Sequence, residues 1–176
     1  MLFGVIFLKK SVLIFICVLL LAEISGCVAD KEAIVNKSEF DMLFETLKYV
    51  GFDEVTVEET DRENSYRIFM TAEEFDEYVE AAGSVCESYG NEGYEMLLIL
   101  AKERMSAKLF DMLSRRYEWT PCDPAEKIVF AKCGGVVVAV KGKKESTEKV
   151  YNSFCGFFGK SSCEKREKER IADHIE

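Results

Sequence analysis

The longest unbroken apolar run in the chain, residues 12–22, sits between two lysines, Lys9 and Lys10, and the sequence Ile24-Ser25-Gly26-Cys27. At about 11 residues it is too short for a membrane-spanning helix, which needs roughly 20. A basic start, a short apolar centre and small residues before a cysteine describe an export signal with a lipobox. Residues 1–26 are therefore expected to be removed by cleavage between Gly26 and Cys27, leaving the Cys27 thiol to be diacylated with chains such as palmitate. Residues 27–37, polar or small apart from Ile34 and Val35, read as a tether from that lipid to a folded domain.

From Ser38 the pattern turns helical. Ser38 with Asp41 has the form of a capping box, and Phe40, Leu43, Phe44, Leu47 and Val50 follow at one-face spacing as far as Gly51. Residues 54–58 and 66–70 alternate in the manner of short strands. Thr71 and Glu74 make a second capping box, opening a helix over residues 72–82 that Gly83 should stop. Residues 94–101 are almost continuously apolar and follow the glycines Gly90 and Gly93, the pattern of a central strand, while Met105, Leu109, Met112 and Leu113 return to helical spacing. Residues 120–124 contain Pro121 and Pro124 and must be irregular, because proline lacks a donor and restricts the residue before it. Residues 127–132 and 136–141 flank Gly134-Gly135, a strong hairpin signal. A helix from Ser146 then carries Val150, Tyr151, Phe154, Phe157 and Phe158 on one wide apolar face. Residues 161–176 alternate in charge and read as a solvated tail. The expected fold is one α+β domain over residues 38–160, two-layered, with helices packed on a largely antiparallel sheet and the closing hairpin followed by a helix.

This order of motifs, a lipobox, a tether, Tyr66-Arg67-Ile68-Phe69-Met70-Thr71-Ala72-Glu73-Glu74-Phe75, then Tyr94-Glu95-Met96-Leu97-Leu98-Ile99-Leu100 and the Gly134-Gly135 hairpin, resembles an uncharacterised lipoprotein family of Gram-positive anaerobes. The resemblance implies a cell-envelope location and an α+β fold, and brings no catalytic residues with it. The chain departs from it in cysteine content, in Trp119 and in the charged ending.

Charge narrows the partners. The net charge of −9 becomes −10 when Lys9, Lys10 and Glu23 leave with the leader, which argues against nucleic acid and against electrostatic adhesion to anionic lipid. Anchoring then falls to the acyl chains. The chemistry is narrowed further by what is missing. The one histidine, His174, lies near the end of the charged tail, so His-assisted nucleophiles and histidine metal sites have no supply. Ser162 and Lys165 have serine–lysine spacing but no packed surroundings, and Gly156 and Gly159 are too close for a phosphate loop. The acids around Asp61 lack the glycine and closing carboxylate of a calcium loop. No cofactor is expected.

Besides the lipid-bearing Cys27, five cysteines, Cys86, Cys122, Cys133, Cys155 and Cys163, remain in the mature chain without redox or zinc spacing. Cys122 with Cys133 is the pair expected to form a disulfide if a hairpin joins their flanks; otherwise the thiols pack as small hydrophobes. Two functional readings stand. In the first, a non-enzymatic lipoprotein domain binds an envelope protein, a peptide or a ligand through the loop containing Tyr117, Trp119, Pro121 and Pro124, or through a sheet edge. For Trp119 itself, packing under that loop as core is the favoured reading on burial habit. In the second, a cell-envelope enzyme acts on cell wall or protein thiols through acids near Glu73–Glu77 or through Cys122.

Overall fold

The computed structural model describes residues 35–170 apart from residues 53, 88–92 and 160–162. Gly26, Cys27, the leader, His174 and most of the tether lie outside the described residues. All described residues belong to one compact unit, Glu32–Glu176.

Helix α1 spans Lys37–Leu47 and is capped by Asn36, whose side chain accepts from the Glu39 amide at 3.0 Å while Glu39 accepts from the Asn36 amide at 3.0 Å. The capping box thus lies two positions before the expected Ser38 and Asp41. Glutamate is long enough to reach back to the cap, which the shorter aspartate does less well. Strand β1, Val55–Glu59, follows. The strand expected over residues 66–70 is instead a 3-10 turn, Ser65–Ile68, closed by Phe69 in the left-handed region at φ 61°. Its cause lies just upstream. The Asp61 carboxylate accepts from the Glu63 and Asn64 amides at 2.9 and 3.0 Å, and the Asn64 side chain accepts from the Asp61 amide at 2.8 Å, a reciprocal turn that keeps the chain from extending.

Helix α2, Ala72–Tyr78, opens on the Thr71–Glu74 capping box as expected, then passes without a loop into strand β2, Val79–Glu87. The expected helix to residue 82 is cut short because β2 pairs on both sides, with β1 and with β3, Glu95–Ala101. Gly83 is no helix stop. It lies mid-strand beneath the Phe44 ring, where a built Cβ would come within 2.9 Å of two ring carbons. Helix α3, Ser106–Arg116, strands β4, Lys127–Cys133, and β5, Val136–Gly142, and helix α4, Lys144–Phe158, stand where the spacing places them. The β4–β5 turn is Gly134-Gly135, with Gly134 at φ 55°.

The charged ending is the largest correction. Residues Glu164–Glu169 form strand β6, paired antiparallel along β4 from Lys127↔Glu169 to Lys132↔Glu164. The sheet has six strands in the order β1-β2-β3-β5-β4-β6, all antiparallel. The fold is α+β, with the closing hairpin and helix in place. The expected two layers become three, with the sheet in the middle, because both faces of its inner strands are apolar and helices cover each. On one side α1 and α4 bury Leu43, Leu47, Val150 and Phe154 against Met96, Leu98, Val129 and Val138. On the other, α2, α3 and the 3-10 turn bury Ile68, Tyr78, Leu109, Phe110 and Tyr117 against Leu97, Ile99, Ile128 and Phe130.

Helix α2 docks through a bidentate ion pair, Arg116 donating to both Glu74 oxygens at 2.7 and 2.8 Å. The Arg116 hydrogen bonds, then the Thr71 amide, hold the Glu74 carboxyl down at about 2. A carboxylate with a depressed folded value contributes stability above its unfolded value, 4.5, and loses it as pH falls through the folded one. The stability difference between wild type and Glu74→Gln is therefore expected to be full at neutral pH and to shrink between about pH 4.5 and 2. Urea midpoints across that range check it; a difference constant with pH would refute the pair's role.

Candidate functional site

Strand β5 is apolar until Lys141, and that lysine, like Lys127 on β4, is a charge buried on an inner strand of the sheet. Register sets its neighbours: Cys86 pairs with Glu95, and Glu95 with Lys141, so the three project from one face at one end of the sheet. The Lys141 ammonium lies 2.7 Å from Asp123 and 3.1 Å from Glu95, with the Lys141 and Asp123 side chains only 8% and 4% exposed. It also stands 5.4 Å from the centre of the Tyr117 ring. Burial opposes its charge, but the Asp123 hydrogen bond and the Glu95 charge outweigh it, and the Lys141 pKa is raised above 10.5. A raised ammonium contributes its full stability below the unfolded value and loses it only as pH climbs past the folded one. Lys141 is thus a fixed cation at neutral pH, suited to holding and orienting, not to acting as a base.

Asp123 is positioned by the loop before β4. Its amide donates to the Thr120 carbonyl at 3.1 Å, and its side chain accepts from the Ala125 amide at 3.0 Å. Arg170, just past β6, donates to the Asp123 carbonyl. Gly93 closes the same corner: at φ 63° it is so near that a built Cβ would meet the Asp123 carboxylate at 2.6 Å and Pro124 at 2.9 Å. Gly93→Ala is expected to cost about 1–3 kcal/mol from overpacking and the left-handed backbone. Gly93→Asn, which tolerates that backbone but keeps the Cβ, should be little better; equilibrium unfolding of both variants decides whether the Asp123 contact sets the requirement.

Around this ion cluster two adjoining cavities, about 320 and 360 Å³, share Cys86, Glu95, Thr120 and Lys141. The first is completed by Tyr94, Pro121, Cys122 and Pro124, the second by Glu58, Tyr66, Arg67 and Ser84. Glu58 and Arg67 form an ion pair in the second. A separate cavity of about 330 Å³ lies at the opposite end of the sheet, beside Val35, Asn36, Leu100 and Gly135.

The structure sorts the loop singled out in the sequence. Pro121, Cys122 and Pro124 are exposed and line the cleft, with Cys122 in the left-handed region at φ 68°. Tyr117 does not face a partner. It is 0% exposed, its ring edge-on to Phe69 and Phe130 at 5.0 and 6.1 Å, and burial followed by the Glu95 charge pushes its phenol well up. Trp119 is half-buried against the same core, its indole nitrogen enclosed. The aromatic the cleft does present is Tyr66, 68% exposed at its rim. The expected Cys122–Cys133 disulfide is also corrected. Cys122 precedes β4 and Cys133 ends it, so seven residues of strand put them about 20 Å apart, where bridged Cα atoms need to be within about 7 Å. The acids on α2 are taken up separately, Glu74 by Arg116, Asp76 by Arg62 and Glu77 by Lys108.

Cys86, Glu95, Asp123 and Lys141 went unnoticed in sequence because the cluster is assembled by register and by a loop. The one local signal was Lys141, a lone charge closing an apolar strand. No protein-family model, no curated protein and no solved structure matches the chain.

Proposed function

We propose that this protein is a lipid-anchored extracytoplasmic domain that binds an extended segment of an envelope protein or peptide in the cleft beside Lys141. Its leader, its lipobox at Gly26 and Cys27, and the lipoprotein family it resembles support the location. The observation that carries the binding reading is the course of the cleft. It crosses the end of the sheet from Glu58 on β1, an open edge, through Ser84 and Glu95 to Lys141 on β5. Three inter-strand steps are about 14 Å. That span holds about four residues of extended chain. Glu58, Glu95 and Asp123 outnumber Lys141 and Arg67 along it, which favours a segment with a basic side chain.

The chain enters the domain at the other end. Val35 and Asn36 lie beside Leu100 and Ala101, and β3 runs from there to Glu95, about 20 Å away. A lipid at Cys27 would leave the cleft directed away from the membrane.

Thr120 is exposed and lines both cavities, so Thr120→Trp should fill the cleft without disturbing the core. Co-purification from solubilised membranes is expected to retain a partner with wild type and to lose it with Thr120→Trp. An identical set with both forms, or nothing specific with either, would sink the reading. Cys27→Ala is expected to abolish palmitate labelling and release the protein from the membrane fraction; retention there would count against the anchor. The enzyme reading has one observation behind it, the exposed Cys122 on the cleft wall beside Cys86. It requires a thiol-directed activity that Cys122→Ser removes.

A further inference from the structure

Three of the five cysteines among the described residues, scattered in sequence, meet on the α4 side of the sheet. Cys133 at the end of β4 and Cys155 on α4 are buried in one core cluster, and Cys163 packs against it. Continuing the β4–β6 register one step past Lys132↔Glu164 sets Cys163 opposite Cys133. Burial first, and then interaction with Cys155 and Cys133, raises the Cys163 pKa. Among the described residues no three His, Cys, Asp or Glu side chains are grouped to hold a metal ion, which leaves thiol chemistry to the cluster.

We propose that Cys163 is a disulfide site, closing onto Cys155 or Cys133 and so latching β6 to the core. Either link has the same mechanical consequence, because Cys163 directly precedes β6 while Cys155 and Cys133 belong to the elements that β6 must stay against. The oxidant is a small or protein disulfide, R–S–S–R. The Cys163 thiolate attacks one of its sulfurs, forming a mixed disulfide and releasing one thiolate. Cys155 or Cys133 then loses its proton and attacks the Cys163 sulfur, expelling the second thiolate. Two protein thiols are oxidised, one external disulfide is reduced to two thiols, and the two protons pass to those products. Cys163 makes the first attack because it is partly exposed and the other two are buried. Burial also pushes its thiol up, which makes the uncatalysed step slow at neutral pH.

The oxidising compartment rests on the export reading above; the geometry of the cluster does not. The purified full chain is incubated with oxidised glutathione, alkylated, digested and analysed by mass spectrometry. The expected result is a linked peptide joining Cys163 to Cys155 or Cys133, with a Tm rise of about 5 °C that reductant reverses and that Cys163→Ser lacks. Cys163 remaining open to alkylation throughout, or an equal reductant-sensitive shift in Cys163→Ser, would overturn the proposal. The same link in protein isolated from cells without reductant would support both this proposal and export. A link formed in vitro but absent from cells would support the site and count against export.

Discussion

Lys141→Met is expected to cost about 3–5 kcal/mol of stability at neutral pH, the effect of stripping the partner from a buried charge. Asp123 is the reason. Its carboxylate is 4% exposed and 2.7 Å from the ammonium, and the neutral Ala125 amide that donates to it at 3.0 Å cannot replace a cation. Glu95, at 3.1 Å, is 29% exposed and recovers solvation more readily. Methionine fills the lysine stem's volume, so the loss reports the orphaned charge and not a cavity. Adding Asp123→Asn to Lys141→Met should return much of the stability, because a neutral amide is far cheaper to bury than a carboxylate. Urea unfolding of the two single variants and the double variant forms the cycle. Additive losses, or less than about 1 kcal/mol for Lys141→Met, would show that Lys141 and Asp123 are not coupled and that water reaches the cleft floor.

The parts of the fold that local chemistry encodes were legible from sequence. The Gly134-Gly135 hairpin, the apolar run of β3 and the wide face of α4 each carry their own signal within a few residues. Where two signals compete, tertiary pairing decides. Phe75, Val79 and Ala82 are spaced for a helix, yet Val79 enters β2 because β1 and β3 offer hydrogen bonds on both sides. The ion cluster was illegible for a related reason. A proline-rich loop announces itself, but that Asp123 turns inward while Pro121 turns outward depends on Lys141 and Gly93, residues far from the loop in sequence. Tyr117 illustrates the same limit, since aromatics beside a loop pattern alike whether they roof the core or face a ligand.

Truncation after Gly159 is the stronger test of what the charged ending does. A solvated tail can be removed without effect, whereas loss of β6 is expected to cost about 5 kcal/mol or more, a large share of a domain's whole stability. Strand β4 would lose its pairing from Lys127 to Lys132. Lys127, whose side chain is 4% exposed, would lose Glu167 and Glu169 and keep, of its ion pairs among the described residues, Glu148 at 2.7 Å. On the other face, Arg166 covers the Phe110 ring and pairs with Asp111 at 2.5 Å, while Lys168 covers Phe130 and pairs with Glu118. The alternation of charge is what such an edge needs: apolar stems lie on the core while charged heads reach the helices on both sides. A strand so charged also discourages a seventh from adding. Without it, Ile128, Val129, Phe130 and Ala131 become an apolar edge, and the truncated chain is expected to self-associate. If the form ending at Gly159 has the same oligomeric state as the full chain by size exclusion and unfolds at the wild-type urea midpoint, β6 contributes nothing to the fold, and a latch at Cys163 would have nothing to hold.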